Sequence, residues 1–217
     1  MTNLPQLRGL TLALIGDLNP VIFQPRWFSS EKLLTDEEAG TATINVIHPD
    51  IASFGLPWIN LTVQRDRFDV MCAAQPYFER VVALVCQTFD RLQHTPIRMM
   101  GINNEAHYRS SSLDSWHALG HRLAPKVLWK DLFPDPGLQS LTIRQVPRND
   151  GCNGHVQVSV EPSVRIVPGV YIAINDHFVI GGSEVLGAAK AIELLREKWS
   201  ESVVFSERTF SRIVEEL

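Results

Sequence analysis

His117 and His121 come nearest, in type and spacing, to a metal site. Four residues apart on a helix, two imidazoles share one face, as zinc ligands require. The residues between them are Ala118, Leu119 and Gly120, so there is no glutamate base in the intervening turn. Glu105 and His107 are near in sequence only, and no third ligand is evident. No metal is assigned. The three cysteines, Cys72, Cys86 and Cys152, fall in a predicted strand, a predicted helix and a hairpin loop. Cys152 precedes His155, but in a Gly-rich hairpin, and no GxSxG is present, so neither a cysteine nor a serine nucleophile is supported. Ser110-Ser111-Ser112 reads as a helix cap and its approach. Gly181-Gly182-Ser183 could cradle an anion ahead of a helix. With no lysine following and no GxGxxG, it reads as a strand-to-helix turn with a cap. The acidic run Asp36-Glu37-Glu38 looks catalytic, yet Thr35 as N-cap with Glu38 three residues later is a capping box, and acidic residues suit a first helical turn. No catalytic residue and no cofactor are assigned, and the chain is read as a non-enzyme.

The elements that would position any site follow from periodicity. Strands are predicted at Leu10–Ile15, Ile44–Phe54 (with Pro49 at an edge or bulge), Ile59–Gln64 and Phe68–Cys72, the last two joined at Arg65-Asp66. Trp27–Gly40 reads as helical. A second helix begins at Pro76 and carries the stripe Phe78, Val81, Val82, Val85, Phe89 and Leu92. A strand at Ile97–Tyr108 then opens a second series. It continues with a helix at Leu113–Leu123 capped by Ser112, and strands at Leu141–Val146, His155–Val160 and Val170–Asn175. The series ends in a helix with the stripe Val185, Ala188, Ala189, Ile192, Leu195 and Trp199, capped by Ser183. Residues 126–138 are an insertion holding Trp129 and Phe133. Residues 200–217 are a tail helix with Phe210, Ile213, Val214 and Leu217 on one stripe.

Composition restricts the partners. The chain has 217 residues, 45% hydrophobic and 20% charged, with net charge −4. That length buries about 70% of the unfolded surface, so neither disulfide nor metal is needed to fold. An acidic balance argues against nucleic acid, whose binding rests on cationic side chains. An odd cysteine count without CxxC suits a reducing compartment. No secretory signal and no apolar run of membrane-spanning length are visible, so a cytoplasmic location with no membrane contact is expected.

The two series repeat one plan: residues 1–95 and 96–199 each read as strand, helix, strands, long helix. Ile15-Gly16-Asp17-Leu18-Asn19 aligns with Met100-Gly101-Ile102-Asn103-Asn104, and Phe23 with Tyr108. Asp66-Arg67-Phe68 aligns with Asp176-His177-Phe178. Joined only by His94-Thr95-Pro96, the halves should share one sheet. The expected fold is α+β: an antiparallel sheet built from two pseudo-symmetric β-α-βββ-α repeats, with helices on one face and one continuous domain. This duplicated topology resembles the TATA-box-binding-protein-like saddle. The fragments Met100-Gly101-Ile102-Asn103 and Ile174-Asn175-Asp176-His177-Phe178 also resemble a sporadically distributed, uncharacterised bacterial protein family. That resemblance implies a bacterial cytosolic protein, encoded within a mobile or defence-type gene cluster, and carries over no catalytic residue.

Alternation places Asn60, Thr62, Gln64, Arg67, Asp69, Thr142, Arg144, Gln157 and Ser159 on an open polar face. Of these, Asn60, Thr62, Gln64, Arg67, Arg144, Gln157 and Ser159 are candidate binding residues. The insertion and the tail lack counterparts in the first half and would expose apolar side chains if left alone, which marks an interface. Trp129, Phe133, Phe210, Ile213 and Leu217 are the candidate contacts. The function expected is a non-catalytic scaffold subunit that self-associates as a homo-oligomer or docks a protein partner. A small-ligand- or metal-binding enzyme domain, and a nucleic-acid-binding saddle, are the alternatives.

Overall fold

The computed structural model describes residues 4–181 and 187–215. One antiparallel sheet of nine strands forms the frame. The first half contributes β1 (Leu7–Gly16), β2 (Thr43–His48), β3 (Ile51–Leu56), β4 (Ile59–Gln64) and β5 (Arg67–Cys72). The second contributes β6 (Ile97–Arg109), β7 (Leu141–Gln145), β8 (Gly154–Pro162) and β9 (Gly169–Val179). The order is β2-β3-β4-β5-β1-β6-β9-β8-β7. Read outward from the β1–β6 seam, each half places its first strand innermost, its last strand next, and the earlier ones progressively outward. The first half has five strands and the second four, so β2 has no counterpart and β7 is an uncovered edge.

The residue motifs aligned between the halves do not fall at matching places in their strands. Gly16 ends β1, whereas Gly101 lies within β6, paired with Ala13. Arg67 opens β5, whereas His177 lies near the end of β9.

Five helices pack on one face of the sheet: α1 (Pro25–Ser30), α2 (Asp36–Thr41), α3 (Phe78–Arg91), α4 (Leu113–Leu123) and α5 (Ala188–Ile213). Alternation along each strand makes that face apolar. In register across the seam, Val70, Leu12 and Ile102 are buried, as are Phe68, Leu14, Met100 and Phe178. The first half closes with an aromatic cluster in which Phe23 meets Phe28, Phe68 and Phe89 at centroid distances of 5.6–6.5 Å. The second half has a smaller core of Ala106, Tyr108, Leu119, Val160, Val170, Ile172, Ile174, Phe210 and Val214.

Local chemistry explains where elements begin and end. Thr35 Oγ1 accepts from the Glu38 N–H at 3.1 Å, and the Glu38 carboxylate accepts from the Thr35 N–H at 3.1 Å, completing the capping box. Glu38 also accepts from Arg80 and Trp58, tying α2 to α3 and to the β3–β4 turn. The segment predicted as one helix over Trp27–Gly40 is two short ones. Leu33 and Leu34 both donate to the Phe28 carbonyl, and Lys32 adopts φ 59°, which ends α1 with a left-handed residue. The strand predicted over Ile44–Phe54 is likewise two, β2 and β3, turned at Pro49-Asp50. Pro49 cannot donate to a ladder, and Asp50 pairs with Arg65.

The tail is not a separate element. α5 runs unbroken for 26 residues and takes in residues 200–213. No Gly or Pro interrupts it, and its buried side chains (Ala191, Leu195, Trp199, Ser202, Ser206, Phe210) lie at helical spacing, so nothing stops it at Trp199. Ser183 and Val185 lie outside the described residues, as do Gly182 and Leu217.

Candidate interaction surfaces

The polar sheet face is formed as alternation requires. Asn60, Thr62 and Gln64 on β4 and Arg67 and Asp69 on β5 point away from the helices. Thr142 and Arg144 on β7 and Gln157 and Ser159 on β8 do the same. They form two groups, separated by β1, β6 and β9, rather than one site. Each group is knitted across its strands. Ser53 and Thr62 share a hydrogen bond of 2.9 Å, and Arg67 donates to Asp69. Thr142 and Ser159 share one of 3.1 Å, and Arg144 donates to Gln157 Oε1 at 2.9 and 2.6 Å.

Between the groups, the sheet face carries small residues at Gly9, Ala13, Gly101 and Ala173, alternating with larger polar ones such as Thr11, Asn103, Glu105 and Tyr171. Glu105 folds flat over Gly9, where a Cβ would strike its carboxylate. Glu105 accepts from the Tyr171 hydroxyl at 2.8 Å. Burial, followed by that bond to a carboxylate, drives the Tyr171 phenol above its ordinary range. His107 is buried against Tyr171 and bonded to Ser163 at 2.8 Å. Burial first, then Arg165, lowers its pKa, so it is neutral at pH 7.

His117 and His121 lie exposed on α4, and no group of three His, Cys, Asp or Glu side chains among the described residues could hold a metal ion. His117 instead edges a small apolar cavity of about 140 Å³ with Trp116, Leu119, Leu123, Val160 and Val170.

The helix-side layer differs sharply between halves. Over β3 and β4, α1 and α2 bury Phe28 and Leu34. α4 reaches the far end of β8, where Leu119 packs with Val160, but among the described residues no helix covers β7. Residues 126–138 wind into a single 3-10 turn, Lys126–Trp129, and irregular chain. Leu128 is 78% exposed, Leu132 67% and Phe133 54%, and Trp129 is half-exposed. A cavity of about 610 Å³ opens between Trp129, Phe133 and Leu141. A second cleft, about 460 Å³, separates β7–β8 from α5 and is walled by Ile143, Val156, Val158 and Phe205. Its charged end holds Arg148, which donates to Asp150 at 3.0 and 2.6 Å and to Asp176, with its guanidinium 3.9 Å above the Phe178 ring. The Arg148 hydrogen bonds take the Asp150 pKa down to about 2.

Of the expected interface residues, Trp129 and Phe133 are exposed together on the insertion. Phe210 is not: it is fully buried, beneath Tyr108 at 6.4 Å and Arg8 at 5.0 Å, in the second-half core. Ile213 packs against the same core. Their stripe meets the sheet because α5 is long enough to reach β6 and β9. The residues that sequence reasoning missed are Phe205 and Ile143. Phe205 lies off the α5 stripe, and Ile143 sits on a face predicted to be covered by helices. Both are exposed because nothing among the described residues is laid over β7. No protein-family model matches the chain, and no curated protein matches it.

Proposed function

We propose that this chain is a non-catalytic interaction subunit, which self-associates or docks another protein chain through the helix-side layer of its second half. One observation carries the reading. Val127, Leu128, Trp129, Leu132 and Phe133 are exposed together on one 13-residue insertion, beside the uncovered apolar face of β7. A contiguous grouping of that kind, unlike apolar side chains exposed singly, marks a protein contact. Aromatic anchors such as Trp129 and Phe133 dominate such contacts when buried. The weakly charged, internally paired polar face supports the reading by offering little to nucleic acid.

Native mass spectrometry tests it, with L128D/F133D as the comparison. A homo-oligomer that collapses in the variant to the 24.4-kDa monomer carries the self-association form. A wild-type monomer overturns that form, and affinity capture then tests the second. A protein retained by the wild type and lost from L128D/F133D carries it, whereas equal retention by both overturns it. Deleting residues 206–217 is unsuitable, because Phe210 belongs to the core.

A further inference from the structure

The sheet has two edges, β2 and β7, and they are not alike. An edge strand presents backbone N–H and C=O groups that a further strand can pair with, and proteins blunt such edges with bulges, prolines or cover. β2 carries those devices. Its register with β3 shifts between Ile44 and Val46, Pro49 follows it, and the turn Pro20–Ile22 lies beside it. β7 carries none of them. Its five residues pair with β8 without a break and include neither Gly nor Pro. Among the described residues their backbone bonds to β8 alone. Thr142, Ile143, Arg144 and Gln145 are exposed.

The two ends of β7 are flanked differently on the helix side. At the Leu141 end stands the insertion, where Trp129, Phe133 and Leu141 border one cavity. At the Gln145 end lies the cleft of about 460 Å³, lined by Ile143, Gln145, Val156, Val158 and Phe205. Val146, just past that end, is also exposed. One end thus offers a group of exposed apolar side chains, and the other an open apolar recess. A two-fold axis normal to the sheet makes two edge strands antiparallel and keeps the helix sides of both copies on one side. It also sets the Leu141 end of each β7 beside the Gln145 end of the other.

We infer that a second copy of this chain pairs its β7 antiparallel with β7, in a two-fold interface centred on Ile143, and seats its insertion in the cleft beside Phe205. This geometry rests on the self-association form of the function proposed above and specifies it. The centre follows from the residues. With Ile143 opposite its own copy, Leu141 faces Gln145 and Thr142 faces Arg144, so all five rungs lie within the strand. On the open face each guanidinium, already held by Gln157, then meets a neutral hydroxyl. Centring on Arg144 would set two guanidinium groups opposite each other, which destabilises a ladder. Centring on Thr142 would oppose Gln145 to Gln139, outside the strand. Centring between two residues would turn the polar face of one copy to the helix side of the other. The match is reciprocal, since each copy brings one insertion and one cleft. The interface therefore closes at two copies and does not extend into a filament.

Mass, edge protection and register are read together on the full chain. Native mass spectrometry over a range of concentrations should show a species of twice the 24.4-kDa chain mass. Hydrogen exchange of the wild type reads the edge: amides within Leu141–Gln145 that exchange freely in the monomer should lose that exchange in the dimer. Cysteine pairing reads the register, in a C152S background because Cys72 and Cys86 are buried and Cys152 is not. I143C should form a disulfide with its own copy, since directly opposed strand residues have Cα atoms about 4.5–5.5 Å apart, within disulfide reach. T142C and R144C should cross-link when mixed and not when alone, because like positions are then about 7–8 Å apart. A dimer lost in L128D/F133D, but with β7 amides exchanging as in the monomer or thiols pairing in another register, overturns this geometry and leaves self-association standing. A dimer joined at β7 that persists in L128D/F133D overturns it as well, because the insertion then lies outside the interface. A chain that stays monomeric overturns the geometry and the self-association form together.

Discussion

At the scale of single residues, the second half depends on one buried ion cluster. Arg148 is buried to 8% exposure and spans Asp150 and Asp176 while lying over Phe178. Asp176 is itself buried on the helix side of β9, at 4% exposure. R148M keeps the apolar contact with Phe178 and strands Asp176 as an unpaired buried charge. The expected cost is about 3–5 kcal/mol, read from urea unfolding. R144Q, at an exposed position, should change stability by less than about 0.5 kcal/mol. The same cluster predicts acid sensitivity. The Asp150 pKa is lowered from 3.8 to about 2, so its contribution is present above the unfolded value and is lost as pH falls through the folded one. The thermal midpoint should drop between about pH 4 and pH 2, and D150N should remove that part of the drop. An identical acid profile in D150N would show that Asp150 does not carry it.

At the scale of elements, helix ends and helix length were unequally visible. The Thr35–Glu38 box stands as read, because capping depends on residues within one turn and on nothing distant. T35A should cost about 1 kcal/mol. The continuity of α5 was not visible. The apolar stripe through Trp199 and the one through Phe210 belong to different cores, one shared with α3 and one with β6 and β9. A single helix serving two cores reads, in sequence, as two helices. F210A should therefore cost about 3–5 kcal/mol, the penalty of a large buried cavity. F205S, on the exposed side of the same helix, should leave stability nearly unchanged and weaken partner binding. Equal destabilisation by the two would contradict the placement of Phe205 outside the core.

At the scale of the whole molecule, the two halves share a strand order and differ in cover. α1 and α2 close the first half over β3 and β4, whereas among the described residues the insertion at 126–138 leaves β7 open. The asymmetry places the apolar surface and the cleft of about 460 Å³ in the second half. L128D/F133D should leave the thermal midpoint within a degree or two of wild type, since both side chains are exposed, while changing association. A large drop in the midpoint would place those side chains in the fold rather than in an interface. Among the described residues, no helix is long and apolar enough to cross a membrane.

The amino-acid sequence alone determined what depends on near neighbours. It specified the alternation that sends Asn60, Thr62, Gln64, Arg67, Arg144, Gln157 and Ser159 to one face, the caps at Thr35 and Ser112, and the α+β class with one antiparallel sheet. Period-two alternation and first-turn capping are local physics, legible over a few residues. Only the tertiary structure decided what depends on register and packing. It set His155 opposite His177 and split the polar face into two groups. It buried Phe210 and exposed Phe205 and Ile143. Cross-strand partners are fixed by which strands adjoin and by how far each slides, and neither is written in any one segment. Burial of a helix stripe depends on what lies beneath it, and exposure of β7 on there being no cover over it among the described residues.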